Sequence, residues 1–335
     1  MSVRAFICGC EGLELSSRER DFLRETQPWG LILFGRNIAS LEQVSTLCAS
    51  FRQVVGRADA HVLIDQEGGR VQRLGPPLVF DHPAAARYGA LYETDPEAAV
   101  EAARAGAQLM AAELAAVGIT IDCVPVLDLP ADDMTDAIGD RAYARTVEGV
   151  AALGGAVVSG MLAGGVLPVV KHLPGHGRAT VDSHYHLPHV SADRATLEAT
   201  DFRTFQALAN APLGMTGHIL FEAIDPDRPA TLSPIVISEI VRGLIGFEGL
   251  LISDDLSMKA LSGSIGVSAS GALAAGCDIA LHCNGVMDEM LEVAAAAPLL
   301  EGRAAERAAA ASAMLIPAGA VDIAALREKR DSLLA

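Results

Sequence analysis

Eight short runs of continuously apolar residues recur along the chain, with longer stretches of helical periodicity between them. The runs are VRAFICG (3–9), WGLILFG (29–35), HVLID (61–65), ITIDCVPV (119–126), VLPVV (166–170), PLGMTGH (212–218), GLLIS (249–253) and CDIALHC (277–283). Because apolar and polar positions do not alternate within them, each run is predicted to be a strand covered on both faces, as in a parallel sheet. Helical spacing marks 16–26, 40–55, 95–118, 147–164, 194–210, 234–245 and 266–275, and again 288–315. Serines at the starts of the first two and Gly118 at the end of the third are ordinary helix signals. Strand–helix alternation repeated eight times predicts the α/β class and a single (β/α)₈ TIM-like barrel, with a doubly wound open sheet as the competing arrangement. No Ser/Gly-rich linker divides the chain, so residues 1–335 are expected to form one barrel domain, with the tail from about residue 288 as helical cover.

In such barrels the chemistry lies at the C-terminal ends of the strands. Reading the residue after each run gives Asp65 after the third, Lys171 and His172 after the fifth, His218 after the sixth, Asp254 and Asp255 after the seventh, and Asn284 after the eighth. Any one of these could be ordinary strand-end polarity, but together they suggest a site. Of Asp254 and Asp255 only one is expected to face it, because adjacent strand residues point to opposite faces. The residues alone do not say which.

The densest signal is KHLPGHGRATVDSHYHLPH, residues 171–189, which holds five of the nine histidines. Its prolines and glycines exclude a regular helix or central strand, so a loop over the barrel mouth is expected. His172 and His176 have zinc-like i, i+4 spacing, but Pro174 between them argues against a helix and the HExxH glutamate is absent. Acid/base work is the better use: a bend could bring Asp182 against His184, and a neighbouring carboxylate raises an imidazole's pKa and fixes its tautomer.

Charge removes other classes. The net charge is −17, and a nucleic-acid or anionic-membrane binder needs a basic surface. No run is long enough to span a bilayer, and the N-terminus lacks the features of a signal peptide. Six scattered cysteines, several in apolar runs, suit a reducing compartment, so a cytoplasmic protein is expected.

KHLPGHG (171–177) followed by DSH (182–184) resembles the KHFPGHG…DSH signature of the bacterial β-N-acetylglucosaminidases of glycoside hydrolase family 3. IDQEGGRVQR (64–73), IGDRAY (138–143) and SDDLSM (253–258) are similar to three further motifs of that family, in the same order. The resemblance spans nearly the whole chain. It implies a retaining exo-β-N-acetylglucosaminidase (β-N-acetylhexosaminidase) with Asp254 as nucleophile and His184, held by Asp182, as acid/base. It also implies sugar contacts from Asp65, Arg73, Arg141, Lys171 and His172, with neither metal nor cofactor. Substrates would be N-acetylglucosamine-containing muropeptides, cleaved during cell-wall recycling by a monomer. Relatives with the same Asp–His device act as phosphorylases, which is the alternative reading. The chain departs from the signature at Leu173, where phenylalanine is usual, and His186 and His189 receive no role.

Overall fold

In the computed structural model, which describes residues 2–131, 137–183 and 185–335, the eight apolar runs become the eight parallel strands of a closed barrel. They are β1 (Arg4–Cys8), β2 (Pro28–Leu33), β3 (His61–Ile64), β4 (Ile121–Asp122), β5 (Leu167–Leu173), β6 (Leu213–Thr216), β7 (Leu250–Asp255) and β8 (Ile279–His282). Each pairs with its sequence neighbour, and β8 returns to β1 through Phe6↔Ala280, Ile7↔Leu281 and Cys8↔His282. The open-sheet alternative is thereby excluded.

Burial on both faces explains the lack of alternation. Ile7, Ile32, Leu63, Ile121, Leu167, Val169, Leu213, Met215, Leu250, Ile252, Ile279 and Leu281 share one cluster that fills the barrel. Their strand neighbours, among them Phe6, Leu31, Leu33, Val62, Ile64 and Leu251, join the larger cluster beneath the helices. Neither face can be polar without leaving a group short of hydrogen bonds. The fourth run is strand only at Ile121–Asp122, because Pro125 has no amide hydrogen for the ladder.

Local signals set the helix ends. Ser16 caps the helix Ser17–Thr26 in a reciprocal capping box with Glu19, Asp95 caps Pro96–Ala116, and Ser264 with left-handed Gly276 brackets Ile265–Ala275. Three helical expectations are corrected. The stretch 194–210 splits into Arg194–Ala199 and Asp201–Gln206. The break falls where Thr200 and Arg178 both donate to the buried Asp201 carboxylate. Residues Val236–Leu244 wind as a π-helix. The stretch 288–315 is likewise broken, into Met287–Ala296 and Gly302–Ala313, and a further short helix, Ala85–Tyr92, lies where none is predicted.

The tail covers the barrel in two places. Helix Gly302–Ala313 lies under the N-terminal end, where Ala308 and Ala311 join the interior cluster and Ser312 bonds the ring of His61 at 2.8 Å. Helix Ile323–Leu334, also unanticipated, packs on Pro96–Ala116 and buries Arg330. All six cysteines are free and buried. No helix among the described residues is long and apolar enough to cross a membrane.

Candidate active site

The barrel-filling residues predict where the site residues point. In β3, β5, β7 and β8 the inward positions are Leu63, Val169, Ile252 and Leu281. Two residues on, the same face carries Asp65, Lys171, Asp254 and Cys283, and all four line one pocket of about 160 Å³ at the C-terminal mouth. Ile32, Met215 and Leu281 contribute its apolar lining, and Arg73, Arg141, His172 and Asp182 complete the set expected from sequence. His184, the expected acid/base, lies outside the described residues; Asp182 and Ser183 beside it line the pocket.

Glu67 organises the cations. It sits on the hairpin Gln66–Gly68/Val71–Gln72 that leaves β3. The hairpin turns at Gly68 (φ +88°), where a Cβ would meet the Pro83 carbonyl oxygen at 2.4 Å, so a side chain is excluded on both counts. Arg141 donates to both Glu67 carboxylate oxygens at 2.8 Å, and Lys171 Nζ reaches Oε1 at 2.7 Å. Lys171 also donates to Asp65 at 3.1 Å, and Arg73 to the other Asp65 oxygen at 3.3 Å. Burial pushes both carboxyls up, but the cations more than offset it: Lys171 and Arg73 hold Asp65 well below the usual range, and Lys171 and Arg141 bring Glu67 down to about 2. Burial pulls Lys171 down, yet Glu67 and Asp65 hold it above its ordinary value. These groups are therefore all ionised at neutral pH.

The two aspartates of β7 both border the pocket, where the register with β8 shifts between Ile252 and Asp255, and they differ in their partners. Asp255 spends its carboxylate on structure: it accepts from Ser257 N at 3.1 Å, Ser257 Oγ at 2.6 Å and Cys283 N at 3.1 Å. Asp254 accepts from the Asp255 amide at 2.8 Å and turns to the pocket. Burial raises its pKa, but His218 and His172 favour the carboxylate and the net shift is downward. His218 fixes this corner, bridging Thr231 Oγ1 at 2.8 Å and the Asp255 carbonyl at 2.9 Å.

The segment 171–189 differs from expectation at its start. Lys171–Leu173 continue β5 rather than leaving it, and Lys171, His172 and His176 are buried beneath the mouth instead of projecting over it. The continuation is possible because the register with β6 shifts between Val170 and Leu173, so that Lys171 and His172 both reach the pocket. His186 and His189 are exposed, and His189 pairs with Glu222 at 3.3 Å. Three residues at or beside the pocket were missed or left without a role. Glu67 has the parity of Asp65 within a motif already singled out, Asp128 lies at the mouth of β4, and His218 was noted only as a strand-end residue.

Residues 5–313 match the model of the glycosyl hydrolase family 3 N-terminal domain. The chain belongs to glycoside hydrolase family 3. A beta-hexosaminidase from Methylococcus capsulatus is 42% identical over 277 residues, covering 82% of this chain and 80% of that protein. One from Alkalilimnicola ehrlichii is 40% identical, covering 85% and 82%. NagZ from Neisseria gonorrhoeae in complex with N-trifluoroacetyl-D-glucosamine superposes with a TM-score of 0.90 at 30% identity, covering 100% of this chain and 99% of that one. The same Neisseria protein in complex with zinc ion gives a TM-score of 0.88. The chain is thus a glycosidase, a β-N-acetylhexosaminidase of this family with β-N-acetylglucosaminidase activity.

Proposed function

We propose that the enzyme is a retaining exo-hydrolase that removes terminal N-acetylglucosamine from GlcNAc-anhydro-MurNAc fragments of peptidoglycan, with or without peptide, during wall recycling in the cytoplasm, acting as a monomer. The observation that carries this reading is Asp254: an ionised carboxylate at the mouth of β7, in the same pocket as Asp182 and Ser183 of the acid/base segment. The acylated glucosamine bound by the Neisseria relative fits the same class of terminal sugar.

His184, protonated and paired with Asp182, gives its proton to the leaving oxygen as Asp254 attacks the anomeric carbon. A covalent glycosyl-aspartate forms and the leaving sugar departs. The now neutral His184 takes a proton from water, whose oxygen attacks the same carbon from the face the leaving group left, giving net retention. Asp65 accepts from sugar hydroxyls, Lys171, Arg73 and Arg141 donate to sugar oxygens, and His172 contacts a sugar hydroxyl through its pocket-facing ring nitrogen. The three Lys/Arg side chains lining the described pocket are each matched by a carboxylate. That pairing favours water over phosphate as the acceptor.

The acid role is tested with His184→Ala on paired substrates. Turnover should fall far less for a nitrophenyl leaving group than for a sugar, and equal losses would overturn the role. Incubation in phosphate buffer should yield free N-acetylglucosamine; sugar 1-phosphate as the main product would install the phosphorylase reading. Turnover should survive EDTA, and a loss restored by zinc would require a metal.

A further inference from the structure

One buried carboxylate beside the pocket has no part in the steps above. Asp128 is 0% exposed and spends its acceptors on a single stretch of β5 and the residues after it. Oδ1 accepts from the backbone N–H groups of His172 (3.2 Å) and His176 (2.7 Å). Oδ2 lies 2.7 Å from His172 Nδ1. An ionised carboxylate can only accept, and the neighbouring imidazoles outweigh burial to keep Asp128 ionised. The shared proton therefore belongs to His172 Nδ1. The remaining ring nitrogen, Nε2, has no hydrogen-bond partner among the described residues, and His172 lines the pocket.

The grip extends to the acid/base segment. The His176 ring meets that of His172 edge-on, with centroids 5.5 Å apart, and its Nε2 lies 3.2 Å from Ser183 Oγ. Ser183 is the middle residue of the Asp182–His184 segment.

We propose that Asp128 is a positioning residue that fixes the Nδ1–H form of His172, so that Nε2 is the atom offered to the sugar, and that it also holds the His176 backbone from which Ser183 is anchored. This deepens the sugar-contact role proposed for His172, on which it rests. Its first readout needs no substrate, so the two ideas can fail separately.

The test is Asp128→Asn. The amide oxygen can keep both backbone donors, which leaves the NH₂ group facing His172 Nδ1. A donor there requires a bare Nδ1, so the proton must move to Nε2. Nitrogen-15 NMR of the histidine rings at pH 7, with His172 assigned by the signal lost in His172→Gln, should show Nδ1 protonated in the wild-type protein. The variant should show protonation at Nε2 alone. Its kcat/KM should fall about 10- to 100-fold. In a His172→Ala background the same substitution should cost less than threefold, because the group it orients is gone. A bare Nδ1 in the wild-type protein, which needs no variant to fold, overturns the proposal. So does an Asp128→Asn loss that is undiminished when His172 is absent, since Asp128 would then be acting on the fold alone.

Discussion

Replacing Glu67 with glutamine probes the electrostatic centre of the site. Glu67 holds Arg141 by two 2.8 Å hydrogen bonds and Lys171 by a 2.7 Å contact, and it is 9% exposed. At an effective dielectric constant of 20, one charge pair at this separation is worth about 6 kcal/mol before desolvation, and lost hydration opposes most of it. Removing one partner of a buried pair costs about 3–5 kcal/mol, because the other partner stays buried without compensation. Here two cations share the loss, and the amide NH₂ of glutamine would face one of them. For a chain of this length that corresponds to a fall in Tm of about 4–7 °C.

The same substitution should alter catalysis in a predictable direction. Five carboxyl side chains line the pocket, Asp65, Glu67, Asp182, Asp254 and Asp255, against the cations Arg73, Arg141 and Lys171. Neutralising Glu67 removes one negative charge from beside Asp254, which favours the ionised form of Asp254 further. The acid limb of kcat/KM against pH, which reports that ionisation in the free enzyme, should move to lower pH. Calorimetry and a pH series with 4-nitrophenyl N-acetyl-β-glucosaminide read both effects. A Tm within 1 °C of wild type, or an acid limb that moves up, would refute the reasoning.

Asp255→Ala should lose about 2–3 kcal/mol through its three hydrogen bonds to Ser257 and Cys283 while keeping measurable turnover; complete inactivity in a folded variant would reverse the two aspartates. Gly177→Ala places a Cβ 1.8 Å from the Leu129 carbonyl oxygen. The segment after His176 must then shift, and turnover of poor leaving groups should fall more than that of nitrophenyl substrates; equal kinetics on both would contradict this. Burial holds His176 and His61 at a pKa of about 4. Both are neutral in the fold where the unfolded chain is protonated, so stability should be fully present above about pH 6.5 and decline toward pH 4, by at most roughly 3 kcal/mol for each group. Denaturant titrations of wild type and His61→Gln at pH 7 and 4.5 test the sign: a variant whose loss on acidification matches wild type contradicts it.

The barrel was legible because its strands are apolar on both faces, a pattern that amphipathic helices do not share. The same periodicity places the site: counting by twos from Leu63, Val169 and Ile252 reaches Asp65, Lys171 and Asp254, and it would also have reached Glu67 along the hairpin. What local pattern could not give was the path after Val170. Proline and glycine at 174 and 175 read as a loop, yet Lys171–Leu173 stay in the ladder through a register shift that depends on β6. Asp128 escaped for a different reason. A carboxylate after an apolar strand looks like surface polarity until His172 of β5 and His176 just beyond it, 44 and 48 positions later, are seen to close on it. The break at Thr200 is likewise tertiary, since it depends on Arg178 reaching Asp201.

The claim on which the mechanism stands is that Asp254 bonds covalently to the sugar. Rapid acid quenching of the enzyme with a slow fluorinated N-acetylglucosaminyl substrate, followed by peptide mass spectrometry, tests it directly. The peptide containing Asp254 is expected to gain the mass of one glycosyl residue, and Asp254→Asn to show neither adduct nor turnover while folding normally. An adduct on another carboxylate, or sustained turnover by Asp254→Asn, would contradict it.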